Sequence, residues 1–144
     1  MSNYADAGLA GSQTQSFAET PLFSGEAPIV TVSEVVAAAT ITAADLPAYS
    51  VVGRNASGEL VLAVYNDGEE GSPAAIAPVG ITTAKVVKGP TAKNVEIFKG
   101  GMFNPAALNW HSTFDTAAKK RLAFEASAPG IFIQAVPTYG ASAS

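Results

Sequence analysis

A mainly β chain with two short helices, bent into a small antiparallel barrel or ribbon behind an extended N-terminal arm, is the fold class the sequence predicts. Three observations carry it. Short runs of β-branched and aromatic residues recur from Ile29 to Val136, separated by Gly, Pro and Asn. Helix punctuation is concentrated in one stretch, Lys99 to Phe124, which also holds the single Trp, the single His and the densest basic run. The first 28 residues carry Gly8, Gly11, Gly25 and Pro28 among Ser, Thr and Gln, with apolar groups only scattered between them.

The chain divides into an arm (1–45), a body (46–136) and a small-residue tail (137–144). Residues 1–28 cannot bury enough apolar surface to offset their own ordering entropy, so this part is expected to be disordered when free. Phe17, Leu22 and Phe23 are large apolar groups in that polar tract. They read as anchors for a partner or, equally, as side chains that fold back on the body. Ile29-Val30-Thr31-Val32 and Thr40-Ile41-Thr42 read as strands, so 29–42 is strand-forming. Such a segment either closes the body's own sheet or extends a neighbour's.

In the body, Tyr49–Val52 and Leu60–Val64 form a hairpin around Asn55-Ala56-Ser57-Gly58. The acidic loop Asn66–Pro73 reads as a solvated turn, since it lacks the ligand spacing of a calcium loop. Ile76–Thr83, Val86-Val87 and Val95–Phe98 continue the β pattern, and Lys99-Gly100-Gly101 reads as a glycine turn leaving a strand. Asn104-Pro105 is an N-cap followed by proline at the first helical position, which predicts a short helix over Ala106–Trp110. Ser112 or Thr113 caps a longer helix from Phe114 to Ala126, with Phe114, Ala118 and Leu122 on one face. Trp110 reads as core, its own or shared with a neighbouring subunit. Pro129-Gly130 ends the segment, and Ile131–Val136 returns as the last strand.

Composition excludes several function classes. A chain of 144 residues with net charge −4 and 14% charged residues offers no basic face for a phosphate backbone, so nucleic acid is not an expected partner. Lys119-Lys120-Arg121 suits a solvated face or a partner's carboxylates. No apolar run is long enough to cross a bilayer and no secretory leader is evident, so a membrane is not expected either. The absence of cysteine removes thiol chemistry and disulfides. Catalytic, cofactor and metal sites are all expected to be absent. His111 is the whole imidazole supply, and its neighbour Ser112 is too close in sequence to form a triad with it and Asp115. Lys99-Gly100-Gly101 lacks the Gly-Lys-Ser/Thr of a phosphate loop. The alanine-rich, charge-poor surface implied by 48% apolar residues suits packing against other protein.

Lys99-Gly100-x-x-Phe103, then Leu108-x-Trp110, then Asp115-Thr116 ahead of Lys119-Lys120-Arg121-x-Ala123-Phe124, resembles the lambdoid phage head decoration proteins. The likeness extends upstream through Gly58–Ala63 and Gly80-Ile81, covering roughly Leu46 to Val136. The resemblance implies a β-clip-like body and a homotrimer that stabilises the expanded phage head at three-fold and quasi-three-fold positions. It implies no catalysis and no small-molecule substrate, with the major capsid protein as partner and the outer surface of the virion as location after synthesis in the host cytoplasm. It favours the docking role for the arm, with Phe17, Leu22, Phe23, Ile29, Val30 and Val32 as capsid contacts. The competing readings are a small β-rich trimeric ligand-binding domain or enzyme, and a tail or fibre component.

Overall fold

Among the described residues, alternating apolar positions interrupted by turn formers resolve into six strands and two α-helices. The computed structural model describes residues 20–136 apart from 67, 69 and 72. In order come β1 (Val30–Val36), α1 (Ala38–Ile41), β2 (Val51–Arg54), β3 (Leu60–Leu62), β4 (Gly80–Thr82) and β5 (Lys93–Phe103). A 3-10 turn (Pro105–Ala107), α2 (Ala117–Leu122) and β6 (Ile131–Ile133) follow. The sheet runs β1-β3-β2-β4-β5-β6, and β1 returns to pair with β5. Five strands thus close a barrel, and β6 extends the far end of β5 in parallel. The mainly β reading with two short helices is what the structure has.

β1 closes the body's own sheet rather than a neighbour's. It runs antiparallel to β5 from Val36 opposite Lys93 to Val30 opposite Gly100. Residues 20–45 therefore share one sheet and its cores with residues 46–136.

Because successive strand residues point to opposite faces, each central strand feeds two cores. Val52 and Ile97 enter the barrel with Val36, Ile41, Leu46, Leu60 and Val86. Val51 and Phe98 turn the other way, toward Ile81, Phe103, Leu108, Phe114, Phe124 and Ile131 beneath the helical segment. The turn before β2 is held by buried polar groups: the Ser50 N–H donates to Thr82 Oγ1 (2.8 Å) and the Ser50 hydroxyl to the Pro47 carbonyl (2.6 Å). Tyr49 takes a positive φ of 63° there, so the strand begins at Val51.

Several local expectations change. Thr40-Ile41-Thr42 lies at the end of α1, not in a strand, because Ile41 is fully buried at the barrel's end and Thr42 Oγ1 donates to the Ala38 carbonyl (2.6 Å). Lys99-Gly100-Gly101 does not leave a strand but continues β5. Register shifts between Val30 and Thr31, which face Gly100 and Phe98, so Lys99 is the extra residue of a bulge. Gly101 then takes φ +138°, open to glycine alone at little cost, and the strand bends without ending. The helix expected over Phe114–Ala126 shortens to Ala117–Leu122. Thr116 caps it by accepting from the Lys119 N–H (3.2 Å), because Thr113 Oγ1 is already taken by the Tyr65 N–H (2.9 Å). Phe114 is buried ahead of the helix, while Ala118 and Leu122 are exposed and form no core face. The helix expected over Ala106–Trp110 is one 3-10 turn, and Asn104 caps it as read. Ile76–Thr83 contracts to β4 plus a Val64–Ile76 bridge, Val86 bridges Leu46, and the last strand ends at Ile133.

Barrel closure depends on one short seam. β1 meets β3, in parallel, only at Val36 and Leu60. The Leu60 carbonyl accepts from the Ala37 N–H (3.0 Å) and from Thr40 Oγ1 (3.3 Å). Outside the seam, Glu34 on β1 meets Arg54 on β2 through two parallel hydrogen bonds, Nη1 to Oε1 and Nη2 to Oε2, the latter at 2.8 Å. The Arg54 hydrogen bond holds the Glu34 carboxyl below the ordinary glutamate range, outweighing partial burial, and the charges of Arg54 and Lys99 act in the same direction.

A carboxyl more acidic folded than unfolded stabilises the fold above its unfolded pKa, and this contribution disappears as pH falls through the folded value. Wild type is thus expected to lose stability on acidification below about pH 4.3, the ordinary glutamate value. Arg54→Gln is expected to be less stable at neutral pH and to show a shallower acid limb, as measured by urea midpoints across pH. Phe103→Ala is expected to cost about 3–5 kcal/mol by the same measurement, since a fully buried aromatic at the junction of strand and helical layers leaves a cavity.

Candidate functional site

From Pro21 to Ser24 the chain runs antiparallel to the end of β5, on the side away from β6. The Asn104 N–H donates to the Leu22 carbonyl (2.7 Å), the Ser24 N–H donates to the Met102 carbonyl (3.1 Å), and Phe23 bridges Phe103. Asn104, nearly fully buried, uses both ends of its amide. Its Oδ1 accepts from the Ala106 N–H (3.2 Å), capping the 3-10 turn, and its Nδ2 donates to the Pro21 carbonyl (3.0 Å). A residue chosen as a cap is therefore also the tether of the N-terminal segment. The Phe23 ring lies 5.7 Å from Phe98 and 5.2 Å from Phe103. Gly25 passes so close to the Met102 thioether that a Cβ would collide with it.

Of the expected arm contacts, Phe17 lies outside the described residues. Leu22 packs on the core beneath the helical segment and Val32 on the barrel core. Phe23, Ile29 and Val30 keep 37%, 55% and 47% of their surface exposed. Sequence reasoning missed two residues beside them. Val30 pairs with Gly100, Met102 pairs with Phe132, and Gly100 and Met102 share a face of β5 two residues apart. Val30 and Phe132, each about half exposed, therefore flank Gly100 and the partly buried Met102 on β5. Two-residue alternation along β5 was the available signal, hidden by the assumption that the strand stopped at Phe98.

The remaining motif residues build the floor under α2. Leu108, Phe103 and Phe124 are buried. The Trp110 indole N–H donates to the Pro105 carbonyl (3.0 Å), and its ring lies 5.2 Å from Phe114 and 6.3 Å from Phe124. Lys120 sits 5.9 Å over the Trp110 ring, and Lys119 sits 4.6 Å over Tyr65 while bonding Asp115 (2.8 Å). Arg121 is exposed. Lys99 and Gly100 form the β5 bulge.

These neighbourhoods favour contact over chemistry. His111 Nδ1 lies within hydrogen-bond distance of Thr113 Oγ1 (3.0 Å) and the Thr113 N–H (3.2 Å), a local arrangement at the mouth of the turn. Among the described residues, no group of three or more His, Cys, Asp or Glu is placed to hold a metal ion, and no helix is long and apolar enough to cross a membrane. In the acidic loop, Asp67 and Glu69 lie outside the described residues.

Comparison with curated proteins returns no significant match. A family model does match: that of bacteriophage lambda head decoration protein D, over residues 12–131. This span covers the tethered segment, the whole barrel and the floor under α2. It takes in most of the chain, and with it a structural, non-enzymatic role: the chain belongs to the bacteriophage lambda head decoration protein D family.

Proposed function

We propose that this protein is a capsid cement: a homotrimer that binds the major capsid protein at three-fold and quasi-three-fold positions on the outside of the expanded head and holds the shell against internal pressure. The family match over residues 12–131 carries the reading. The mechanism is linkage. A ligand that binds only the mature shell stabilises it by the free energy of binding, about 2.7 kcal/mol per site at a hundredfold excess over Kd. Three attachments on one trimer raise this further, because after the first docks the others bind at high effective concentration.

The N-terminal arm supplies the attachment. Its root is pinned where Asn104 Nδ2 donates to the Pro21 carbonyl. Phe17 on the arm, with Phe23, Ile29 and Val30 on the adjoining surface, makes the apolar contact. Leu22 and Val32 are engaged by the body's cores and act by holding that surface in place.

A variant starting at Thr20 keeps every described contact. It is expected to fold normally and to lose affinity for expanded, undecorated heads by at least about tenfold, or 1.4 kcal/mol. Unchanged binding in a sedimentation assay would rule out the arm as the main attachment. Asn104→Ala is expected to cost about 0.5–2 kcal/mol of stability through the lost cap. It should also speed amide exchange at Ser24 and weaken head binding, as the root of the arm comes loose.

A further inference from the structure

Helix α2 is unusual on energetic grounds. Six residues long, it buries none of its side chains, although so short a helix gains little from its own backbone. Ala117, Ala118 and Leu122 are exposed, Leu122 by 48%. A cleft lies on each flank, and Ala118 lines both. The first, about 750 Å³, runs between α2 and the end of β6, with Pro105, Ala117 and Ile133 in its walls and Lys120 and Arg121 beside them. The second, about 430 Å³, lies between α2 and segments 64–66 and 75–78, walled by Tyr65, Ala75, Pro78 and Leu122.

We propose that α2 stands at the three-fold axis of the trimer, and that the first cleft of each subunit packs against the second-cleft flank of the next copy of this chain. The inference rests on the trimeric reading above and names its surface. In a cyclic trimer each subunit fills a third of a turn, so its two contact faces are different and meet at the axis. A ridge with an apolar cleft on either side has that shape. The charges are also complementary. Lys119, which lines the second cleft, is bonded to Asp115 of the first, so this pair offsets itself across the ridge and Lys120 and Arg121 remain as the cations of the first flank. Glu70 is exposed in the turn between Asn66 and Ala75, both of which line the second cleft. A head-to-tail ring sets these unlike flanks together, whereas a two-fold contact through either flank would set like on like.

The chain has no cysteine, so introduced pairs report the contact directly. Ala75→Cys with Ala117→Cys, oxidised in solution and on expanded heads, is expected to give covalent species up to trimers and none larger. Val87→Cys with Ala117→Cys, using an exposed residue outside both clefts, is expected to give no such ladder. Arg121→Glu is expected to raise the trimer dissociation constant at least tenfold, and adding Glu70→Arg to restore it. Trp110 emission checks the fold of every variant. A trimer-limited ladder or rescue by the charge swap supports the surface. Absence of both, with head binding intact, overturns it and leaves the cement reading standing. Trimers that form through these flanks but ignore heads overturn the cement reading instead.

Discussion

One strand holds the molecule together. β5 pairs with β1 and β4 along the barrel, takes β6 in parallel at its far end, and receives the tethered segment at Phe103. Its alternation sends Ile97 into one core and Phe98 into the other. The bulge at Lys99 and the positive φ of Gly101 let this eleven-residue strand change partners without breaking.

Much of this was legible where the signal is local. The β2–β3 turn follows from Asn55, whose Oδ1 accepts from the Ser57 and Glu59 N–H groups (both 2.9 Å), and from Gly58 at φ +83°. Asn104-Pro105 likewise marks its own cap. Long-range contacts decide the rest. Thr113 has the right chemistry to cap a helix, but Tyr65, distant in sequence, takes its hydroxyl first. Ile41 sits between two β-branched threonines, yet burial at the end of the barrel puts it in a helix. Glycines after Lys99 look like a terminus because composition cannot distinguish a bend from an end.

For the proposed contact surface, composition named candidates without placing them. Which of the apolar residues in the N-terminal tract the protein keeps for itself depends on register. Leu22 and Val32 turn inward while Ile29 and Val30 stay outside. The family motif is chiefly architectural: Phe124 lies against Trp110, Lys99 forms the β5 bulge, and Lys119, Lys120 and Arg121 occupy α2, which buries none of its side chains. Apolar surface stays uncovered at Val30 and Phe132 and along the flanks of α2, and the proposed contacts draw on both.

The ladder between β1 and β5 also constrains the birth of the protein. Val36 bonds opposite Lys93 and Val30 opposite Gly100, so apart from its single contact with Leu60, β1 has no ladder partner until β5, nearly sixty residues further on, has been translated. Pairing over such separations is slow, because loop closure must be met before the contacts repay it. Until then most of the Val30–Val36 edge is unpaired and open to strand addition by other chains. The charged Glu34 in the middle of that strand, which later meets Arg54, discourages premature strand-to-strand association in the interval.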